Sequence, residues 1–318
     1  MAAATPGSAN RGFVEICEVA PRDGLQSLRD EVPTDAKVRF VEMLAAAGYR
    51  EIEVTSFVSP KWVPQLADAE QVLARIARRE GVTYSALVPN EKGLERALAC
   101  GVRKVAVFTA ASEGFARRNI NASIAESIAR FEPVVRAAHA AGARVRGYVS
   151  CIVECPFDGP VRPDAVRETC SRLADAGVDE IDLGETIGVA VPDEIARVIE
   201  ACARVRPAGE LVLHLHDTRG TALACAARAL ELGVRRFDGS AGGLGGCPYA
   251  PGAAGNAASE ELDYLFTRSG YETSLDRGAI VGAARFIGGV LGRPLPSRFL
   301  ASVASAIGQE SRGCDASA

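Results

Sequence analysis

The chain has 318 residues, 48% of them hydrophobic and 24% charged, and a formal net charge of −4 at pH 7. A chain of this length and composition can bury a large core and is typical of an ordinary globular protein. Its acidic and basic residues are interspersed and supply no positive surface for phosphate backbones or anionic membranes, so we expect neither nucleic acid nor a membrane as a partner.

The predicted elements alternate between short strands and helices along the chain. In chain order, the strand and helix pairs cover residues 14–20 and 34–47, 51–57 and 66–79, 83–88 and 90–99, 104–110 and 123–141, 144–152 and 163–176, 180–186 and 192–205, 211–218 and 221–232, and 235–241 and 260–270, with a last helix at 278–291. Each helix can provide the crossover that two parallel strands require.

The number of these units favours a closed barrel over an open sheet. Several predicted helices end at a glycine, such as Gly48 and Gly177, which suits the left-handed cap that leads into the next strand. A doubly wound sheet caps its helices in the same way, but eight units of roughly 25 to 35 residues match the barrel better. The sequence therefore predicts an α/β fold, a (β/α)8 TIM barrel with additional C-terminal helices.

The barrel is expected to form one domain over residues 13–302. Residues 1–12 lack the apolar stretch of a secretory signal and are interpreted as a disordered arm, and residues 303–318 as a flexible tail. No segment approaches the ~20 apolar residues that span a bilayer. The nine cysteines are scattered singly and form no CxxC pair, which favours a reduced, cytoplasmic location.

Two of the three histidines lie two residues apart in the seventh predicted strand. Period-two alternation turns His214 and His216 to the same face of that strand, near the end of the barrel where such enzymes place their sites. Asp23 follows the first strand and is expected at the same end. An Asp, two His and a further oxygen donor suit a divalent ion with open positions, whereas the alternative is a hydrogen-bonded pair of core histidines.

Charged residues beside this group have two interpretations each. Arg22 either forms a surface ion pair with Asp23 or stabilises a developing oxyanion, because its donors are fixed before charge develops. Glu53 lies in the second strand, where a carboxylate needs a partner. It is either a structural partner of an arginine or a group that orients ligands or transfers a proton.

The glycine-rich segment 242–256 follows the last strand and contains Cys247. It lacks the Gly-Lys-Ser/Thr ending of a P-loop, so we interpret it as a lid with a reactive thiol rather than a phosphate-binding or merely flexible loop. The chain has only four lysines, Lys37, Lys61, Lys92 and Lys104, and none is expected at a position for Schiff-base chemistry. Metal-assisted cleavage is therefore favoured over imine chemistry.

Taken together, these motifs resemble those of the 3-hydroxy-3-methylglutaryl-CoA (HMG-CoA) lyase family of TIM-barrel metallolyases. The resemblance extends from residue 15 to about residue 302. It is carried by the sequences PRDGLQ at 21–26, EVTSFVSPKWVPQ at 53–65, HLHDTRG at 214–220 and GGLGGCPYAPGAAGN at 242–256.

The resemblance implies the cleavage of HMG-CoA, an acyl-CoA thioester, to acetyl-CoA and acetoacetate, with a role in leucine degradation. It also implies a bound Mg or Mn ion and is compatible with a homo-oligomer. The metal ligands would be Asp23, His214, His216 and Asn256. Arg22 would stabilise the acetyl-CoA enolate, Cys247 on the lid would take part in proton transfer, Glu53 would orient the cluster, and Gln26 and Ser56 would line the pocket.

The chain departs from the family in the sixth strand. Where the family usually has SLGDTIG, residues 182–188 read DLGETIG. We expect a catalytic role for Glu185 and substrate-binding roles for Asp182 and Thr186. The extra negative charge of Asp182 would bear on an anionic substrate, unless Asp182 pairs with an arginine and changes nothing.

Three alternatives to HMG-CoA cleavage remain at this stage. One is cleavage of a related 3-hydroxy-3-alkylglutaryl-CoA or another 3-hydroxyacyl-CoA. Another is the condensing direction, as in isopropylmalate and citramalate synthases, which usually carry C-terminal regions that this chain has no room for. The third is a catalytically silent acyl-CoA-binding barrel, which the complete Asp, His, His and Asn set disfavours.

Overall fold

The computed structural model describes residues 10–28, 30–246 and 255–303. Its strands are β1 (Glu15–Glu18), β2 (Glu51–Ser56), β3 (Thr83–Leu87), β4 (Lys104–Ala110), β5 (Arg144–Ser150), β6 (Glu154–Cys155), β7 (Gly159–Pro160), β8 (Glu180–Glu185), β9 (Leu211–Leu215) and β10 (Arg236–Gly239). Its α-helices are α1 (Thr34–Ala46), α2 (Ala69–Arg75), α3 (Glu91–Ala99), α4 (Glu113–Ile120), α5 (Ile124–Ala140), α6 (Pro163–Asp175), α7 (Pro192–Cys202), α8 (Ala222–Glu231), α9 (Ser259–Arg268) and α10 (Arg277–Val290).

Eight strands close into a barrel in the order β1-β10-β9-β8-β5-β4-β3-β2. All of the barrel pairs are parallel, so the carboxyl ends of the eight strands meet at one mouth. The short strands β6 and β7 form a separate antiparallel hairpin after β5. The predicted (β/α)8 barrel is confirmed.

Alternating residues divide each barrel strand between an outer apolar face and an inner face. On β8, Ile181 and Leu183 are fully buried in the hydrophobic layer between strands and helices. Glu180 and Asp182, which alternate with these two residues, point into the barrel and contact the side chain of Arg146. Barrel interiors are usually filled by branched apolar side chains, so this charged interior is a distinctive feature of the chain.

The first strand is shorter than predicted. We expected it at residues 14–20, but β1 ends at Glu18, and residues Ala20–Gly24 form a π-helical turn with a proline at its start. Proline fixes its own backbone angle and donates no backbone hydrogen bond, so it starts a helical turn and cannot continue the ladder. The turn therefore places residues Ala20–Gly24 at the mouth of the barrel, where β1 ends.

Three further elements differ from the prediction. Helix α2 spans seven residues rather than 66–79, because the chain becomes extended at Ile76. Strand β5 ends at Ser150, and the left-handed backbone of Cys151 (φ 59°) breaks the expected extension to 152. Helix α4 was not predicted; it is a short element, and Ser112 caps it by accepting a hydrogen bond from Phe115 N.

The two C-terminal helices complete the barrel as predicted. Helix α9 follows β10 and contacts β1 and β10, and α10 packs against α1 and α9. Just before the amino-terminal end of β1, Phe13 pairs with Glu272 in an isolated parallel bridge. The domain limits at 13 and 302 remain a prediction, since most of both terminal segments lies outside the described residues. No described helix is both long enough and apolar enough to cross a bilayer.

Candidate active site

Three of the expected metal ligands come together at the carboxyl-terminal mouth of the barrel. Asp23 lies in the turn after β1, His214 is in β9, and His216 follows directly after that strand. One ligand atom from each residue lies within 4.8 Å of the other two. Nε2 of His216 is 3.1 Å from Nε2 of His214 and 4.0 Å from Oδ2 of Asp23.

The chemistry of these atoms fits a divalent cation. Two imidazole nitrogens that face each other at 3.1 Å can share only one proton. Asn256 donates through Nδ2 to Oδ2 of Asp23 at 3.0 Å and to the Leu244 carbonyl at 3.1 Å. Its buried Oδ1 has no hydrogen-bond partner among the described residues. Carboxylate, imidazole and amide oxygen donors suit Mg²⁺ or Mn²⁺ with positions left for a substrate.

Asp238 holds His214 from behind, and sequence analysis did not identify it. Oδ2 of Asp238 lies 3.0 Å from Nδ1 of His214, which leaves Nε2 of the imidazole directed at Nε2 of His216. Metal-binding histidines commonly have such a carboxylate on the second ring nitrogen, because it fixes the tautomer and the ring orientation. The only local signal was an acidic residue in the short strand β10, where a buried carboxylate requires a partner.

The protonation states of the three ligand side chains are set by burial and by each other. Burial opposes protonation of His214, but its hydrogen bond to Asp238 and the charge of Asp23 raise its pKa to about 9. Burial and the neighbouring His214 lower the pKa of His216 to about 4. Burial opposes ionisation of Asp23, but Arg22 and the two imidazoles lower its pKa to about 2. At pH 7 Asp23 is thus ionised and His216 is neutral, the forms that bind metals, whereas His214 carries a proton that a bound cation would have to displace.

Arg22 is buried beside this cluster and is not a surface ion pair. The residue is 5% exposed, and its Nε donates to Oε2 of Glu53 at 2.6 Å. Its Nη1 donates to Oδ1 of Asp23 at 2.5 Å, and its guanidinium lies 5.3 Å from the ring centre of Tyr148. Tyr148 donates in turn to Oε2 of Glu53 at 3.2 Å. The arginine is therefore held in one position at the mouth of the barrel.

Glu18 fixes the turn that carries Arg22 and Asp23. Its fully buried carboxylate accepts hydrogen bonds from the amides of Ala20 and Ala241 and from the hydroxyl of Ser259. These contacts join the turn after β1 to the start of the glycine-rich segment. Burial raises the pKa of Glu18 to about 7. Sequence analysis missed this residue because two of its partners, Ala241 and Ser259, are more than 200 positions away.

The residues that depart from the family sequence do not all face the site. Asp182 points into the barrel and contacts Nη1 of Arg146 at 3.3 Å. Glu185 is paired in register with Leu215, so it faces the helical layer, and its carboxylate accepts a hydrogen bond from Val189 N at 3.2 Å. Alternation along β8 thus turns Glu185 away from the candidate metal ligands, and its catalytic role stays a prediction. Burial raises the pKa of Glu185 to about 7.

The remaining expected site residues have the following positions. The hydroxyl of Thr186 accepts from Cys151 N at 2.8 Å and so joins the ends of β5 and β8. Ser56 is buried at the end of β2, where its Oγ accepts from Val58 N at 3.1 Å. Gln26 is half-buried just after the π-helical turn. Cys247 lies outside the described residues.

The described residues on either side of 247–254 lie near the metal ligands. Ser27 donates to the carbonyl of Gly246 at 3.2 Å, and Leu244 accepts from Asn256. Gly255 packs so closely against the backbone of Gly243 that any side chain at 255 would overlap it. A glycine is therefore required where the chain returns to Asn256.

Lys104 lies inside the barrel at the start of β4, at the end opposite to the candidate metal ligands. Its Nζ is 2.6 Å from Oε2 of Glu51 and 2.6 Å from Oε2 of Glu180. Both carboxylates belong to the first residues of their strands. An ammonium group paired in this way is unavailable as a Schiff-base nucleophile, so metal-assisted chemistry remains favoured.

A closed barrel with a carboxylate and two histidines at its mouth, beside a buried arginine, defines a metalloenzyme of the TIM-barrel class. The family model described as HMGL-like matches residues 13–287. The chain therefore belongs to the HMGL-like family, which confirms the resemblance inferred from its motifs.

Several relatives are similar over most of both chains. The hydroxymethylglutaryl-CoA lyase of Pseudomonas mevalonii is 51% identical, with 90% of this chain and 95% of the relative covered. The 3-hydroxy-3-isohexenylglutaryl-CoA/hydroxy-methylglutaryl-CoA lyase of Pseudomonas aeruginosa is 50% identical over the same shares. The crystal structure of hydroxymethylglutaryl-CoA lyase from Pseudomonas aeruginosa has a TM-score of 0.90 at 48% identity, with 92% and 98% of the two chains covered.

Proposed function

We propose that this protein is a divalent-metal-dependent lyase that cleaves HMG-CoA to acetyl-CoA and acetoacetate. The observation that carries the proposal is the cluster of Asp23, His214 and His216 beside the buried Arg22. Relatives about half identical to this chain are named as lyases of this substrate, and the family covers the barrel and the cluster alike. A solved relative from Acinetobacter baumannii, 35% identical with a TM-score of 0.86, is described as a complex with coenzyme A and 3-methylmalate.

We assign the cation to Asp23, His214, His216 and Asn256. When bound, the cation would supply the Lewis acidity that favours loss of the proton from the tertiary hydroxyl of the substrate. Asp23 contributes an ionised carboxylate, and Asp238 keeps Nε2 of His214 directed at the same point. Asn256 contributes the buried Oδ1 that otherwise lacks a partner among the described residues.

Arg22 is proposed to stabilise the enolate that forms when the carbon-carbon bond breaks. Its guanidinium is held by Glu53 on one side and Asp23 on the other, so it needs no reorganisation as negative charge develops. Burial raises the pKa of Glu53, while the Arg22 charge opposes that shift. Glu53 therefore acts through Arg22, as a residue that orients it.

Cys247 is proposed to protonate the enolate carbon of the departing acetyl-CoA. Support comes from the described residues that flank it, because Gly246 and Gly255 lie beside the turn of Asp23 and the ligand Asn256. Gln26, Ser56 and Thr186 are proposed to line the substrate pocket. Glu185 is proposed to shape the β8 loop from the helical side, since its carboxylate binds the amide of Val189.

The direct test is an assay of the purified protein for acetoacetate release from HMG-CoA, with and without a chelator. We expect turnover that the chelator abolishes and that added Mn²⁺ or Mg²⁺ restores. A protein saturated with Mn²⁺ that releases no product from any 3-hydroxyacyl-CoA would contradict the proposal and favour a silent acyl-CoA-binding barrel.

A second substrate is supported by the relatives. The Pseudomonas aeruginosa enzyme at 50% identity is named for both a 3-hydroxy-3-isohexenylglutaryl-CoA and HMG-CoA. We propose that cleavage of a larger 3-hydroxy-3-alkylglutaryl-CoA is a further activity to be tested on a thioester panel. If kcat/KM is highest for a longer alkyl group, the reaction type stands and the preferred substrate changes.

We further propose a cytoplasmic location, because the nine cysteines are scattered singly along the chain and form no CxxC pair. A homo-oligomer is proposed on family resemblance alone. Size-exclusion chromatography with light scattering tests it, and a monomer at micromolar concentration would contradict it.

A further inference from the structure

We infer that Asp182 is a positioning residue of the metal site rather than a substrate contact. Asp182 and Asp238 both contact Arg146 inside the barrel, and Asp238 orients His214. We call Arg146, Asp182 and Asp238 the interior clamp. This inference rests on the proposed metal-dependent function and assigns the role of three residues inside the barrel.

The interior clamp is centred on Arg146. This residue is 2% exposed, and its Nη1 lies 2.9 Å from Oδ1 of Asp238 and 3.3 Å from Oδ2 of Asp182. Its Nε and Nη2 are 3.1 Å from carboxylate oxygens of Glu180 and Glu51 respectively. Four carboxylates therefore hold the guanidinium. It cannot turn without breaking buried ion pairs, and an unpaired buried charge is strongly destabilising.

Asp238 transmits the position of the arginine to His214. One oxygen of Asp238 accepts from Arg146, and the other lies 3.0 Å from Nδ1 of His214 and accepts from the hydroxyl of Tyr148 at 3.3 Å. Both carboxylate oxygens are thus used. A shift of Arg146 would move Asp238, and with it the imidazole that faces Asp23.

The strand register places Asp182 below the level of the metal ligands. Gly184 is the β8 residue that neighbours His214, whereas Asp182 neighbours Val212 and Tyr148, two positions further from the mouth. Two residues along a strand correspond to roughly 6.5 Å. Asp182 is fully buried. Gly184, the next β8 residue on the inner face and the one level with His214, has no side chain.

The carboxyl group of Asp182 is therefore directed to the interior clamp rather than to the mouth of the barrel. Burial and the adjacent Asp238 raise the pKa of Asp182 well above its usual range. An acid in this state can donate to Asp238 and accept from Arg146, and an asparagine amide can do both. Alanine can do neither. Asp182→Asn removes the ionisable group but keeps the hydrogen bonds, whereas Asp182→Ala removes both.

The experiment measures Mn²⁺ binding by calorimetry in the absence of substrate, and KM and kcat at saturating Mn²⁺. Residues behind a metal ligand typically change metal affinity by about 10- to 100-fold when removed. For Asp182→Ala we expect about a tenfold weaker Mn²⁺ affinity, at the lower end of that range, with KM for HMG-CoA within about twofold of wild type. Asp182→Asn is expected to bind Mn²⁺ as the wild type does.

Unchanged Mn²⁺ affinity in Asp182→Ala, or a several-fold rise in its KM at saturating Mn²⁺, would overturn the inference. If alanine prevents folding, Asp182→Val, which likewise can neither donate nor accept a hydrogen bond, takes its place with the same expected direction. Because Mn²⁺ binding is read without substrate, failure of HMG-CoA cleavage would leave this test intact. Unchanged Mn²⁺ binding in the variant would leave the proposed lyase activity intact.

A double-variant comparison tests the route through Asp238. Asp238→Asn alone is expected to weaken Mn²⁺ binding more than Asp182→Ala, because it removes the group that contacts His214. In the Asp238→Asn background, Asp182→Ala should then cause little further loss, since residues acting in one network are not additive. The same tenfold loss in both backgrounds would show that Asp182 does not act through Asp238.

Discussion

The guanidinium of Arg22 donates to Oε2 of Glu53 across 2.6 Å, and the two residues are 5% and 1% exposed. Arg22 belongs to the turn after β1, and Glu53 is the third residue of β2. The ion pair therefore fixes the turn to the neighbouring strand. It also fixes Asp23, which the same guanidinium contacts, at the position where the two histidines meet it.

The role of Arg22 leads to the first prediction. We expect Arg22→Gln to lower kcat by about 10²- to 10³-fold, as removal of one fixed oxyanion donor does. Mn²⁺ binding should persist, because Asp23 and both histidines remain. Steady-state kinetics together with Mn²⁺ calorimetry checks both points. A kcat within a few fold of wild type would count against the assigned role.

Removal of a ligand should act on metal affinity first. For His216→Ala we expect loss of high-affinity Mn²⁺ binding, while the circular dichroism spectrum stays that of the wild type. The matched control is His139→Ala. His139 is half-exposed on α5 and pairs with Asp179 on the outer surface, so its loss should leave Mn²⁺ affinity unchanged. Equal Mn²⁺ affinities in the two variants would argue that His216 is not a ligand.

The thiol at 247 gives a prediction about proton transfer. Cys247→Ser is expected to reduce kcat by about 10²- to 10⁴-fold, the usual contribution of a general acid or base. Its Mn²⁺ affinity should not change. The control is Cys225→Ser, a buried thiol on α8 that donates to the carbonyl of Ala190, where serine can make the same bond. Comparable losses of kcat in both variants would remove the special role of Cys247.

The raised pKa of Glu18 leads us to predict that the free energy of unfolding depends on pH. Its pKa is about 7 in the fold, against 4.5 for the free group, so the folded state binds the extra proton between these values. The stabilisation is complete below pH 4.5 and is lost as the pH rises through 7, by roughly 3 kcal/mol for a shift of this size. Urea unfolding of wild type and Glu18→Gln at pH 5 and pH 8, with chelator, measures the difference.

In that comparison, the stability advantage of the wild type over Glu18→Gln should be larger at pH 5 than at pH 8. An advantage that is constant with pH would show that the carboxyl group titrates normally in the folded protein. Other carboxylates also titrate in this range, but they are common to both proteins and cancel in the difference.

Much of the fold could be predicted from local sequence patterns. Eight strand and helix units recur with the periods of the two elements, and their number indicated the closed barrel. The first strand was overextended because Pro21 introduces a helical turn immediately after it, within a segment of otherwise suitable strand composition. Helix α4 was missed because eight residues provide only about two turns of periodic signal.

The candidate metal ligands were predictable from the sequence, whereas the residues that hold them in position were not. His214 and His216 carry their own signal, two imidazoles on one face of a strand. Asp238 and Arg146 are single charged residues in strands, and their partners depend on the register across the barrel. Register also determines that Glu185 faces the helical layer, since adjacent residues of a strand point to opposite sides.

The claim on which the account depends is that Asp23, His214, His216 and Asn256 bind one cation. A crystal of the protein soaked with Mn²⁺ tests it through the anomalous scattering of manganese. We predict a single strong peak at about 2.0 to 2.3 Å from a carboxylate oxygen of Asp23 and from one ring nitrogen of each histidine, with the Asn256 amide oxygen completing the protein ligands. A peak elsewhere in the barrel, or none at this cluster, would contradict the account.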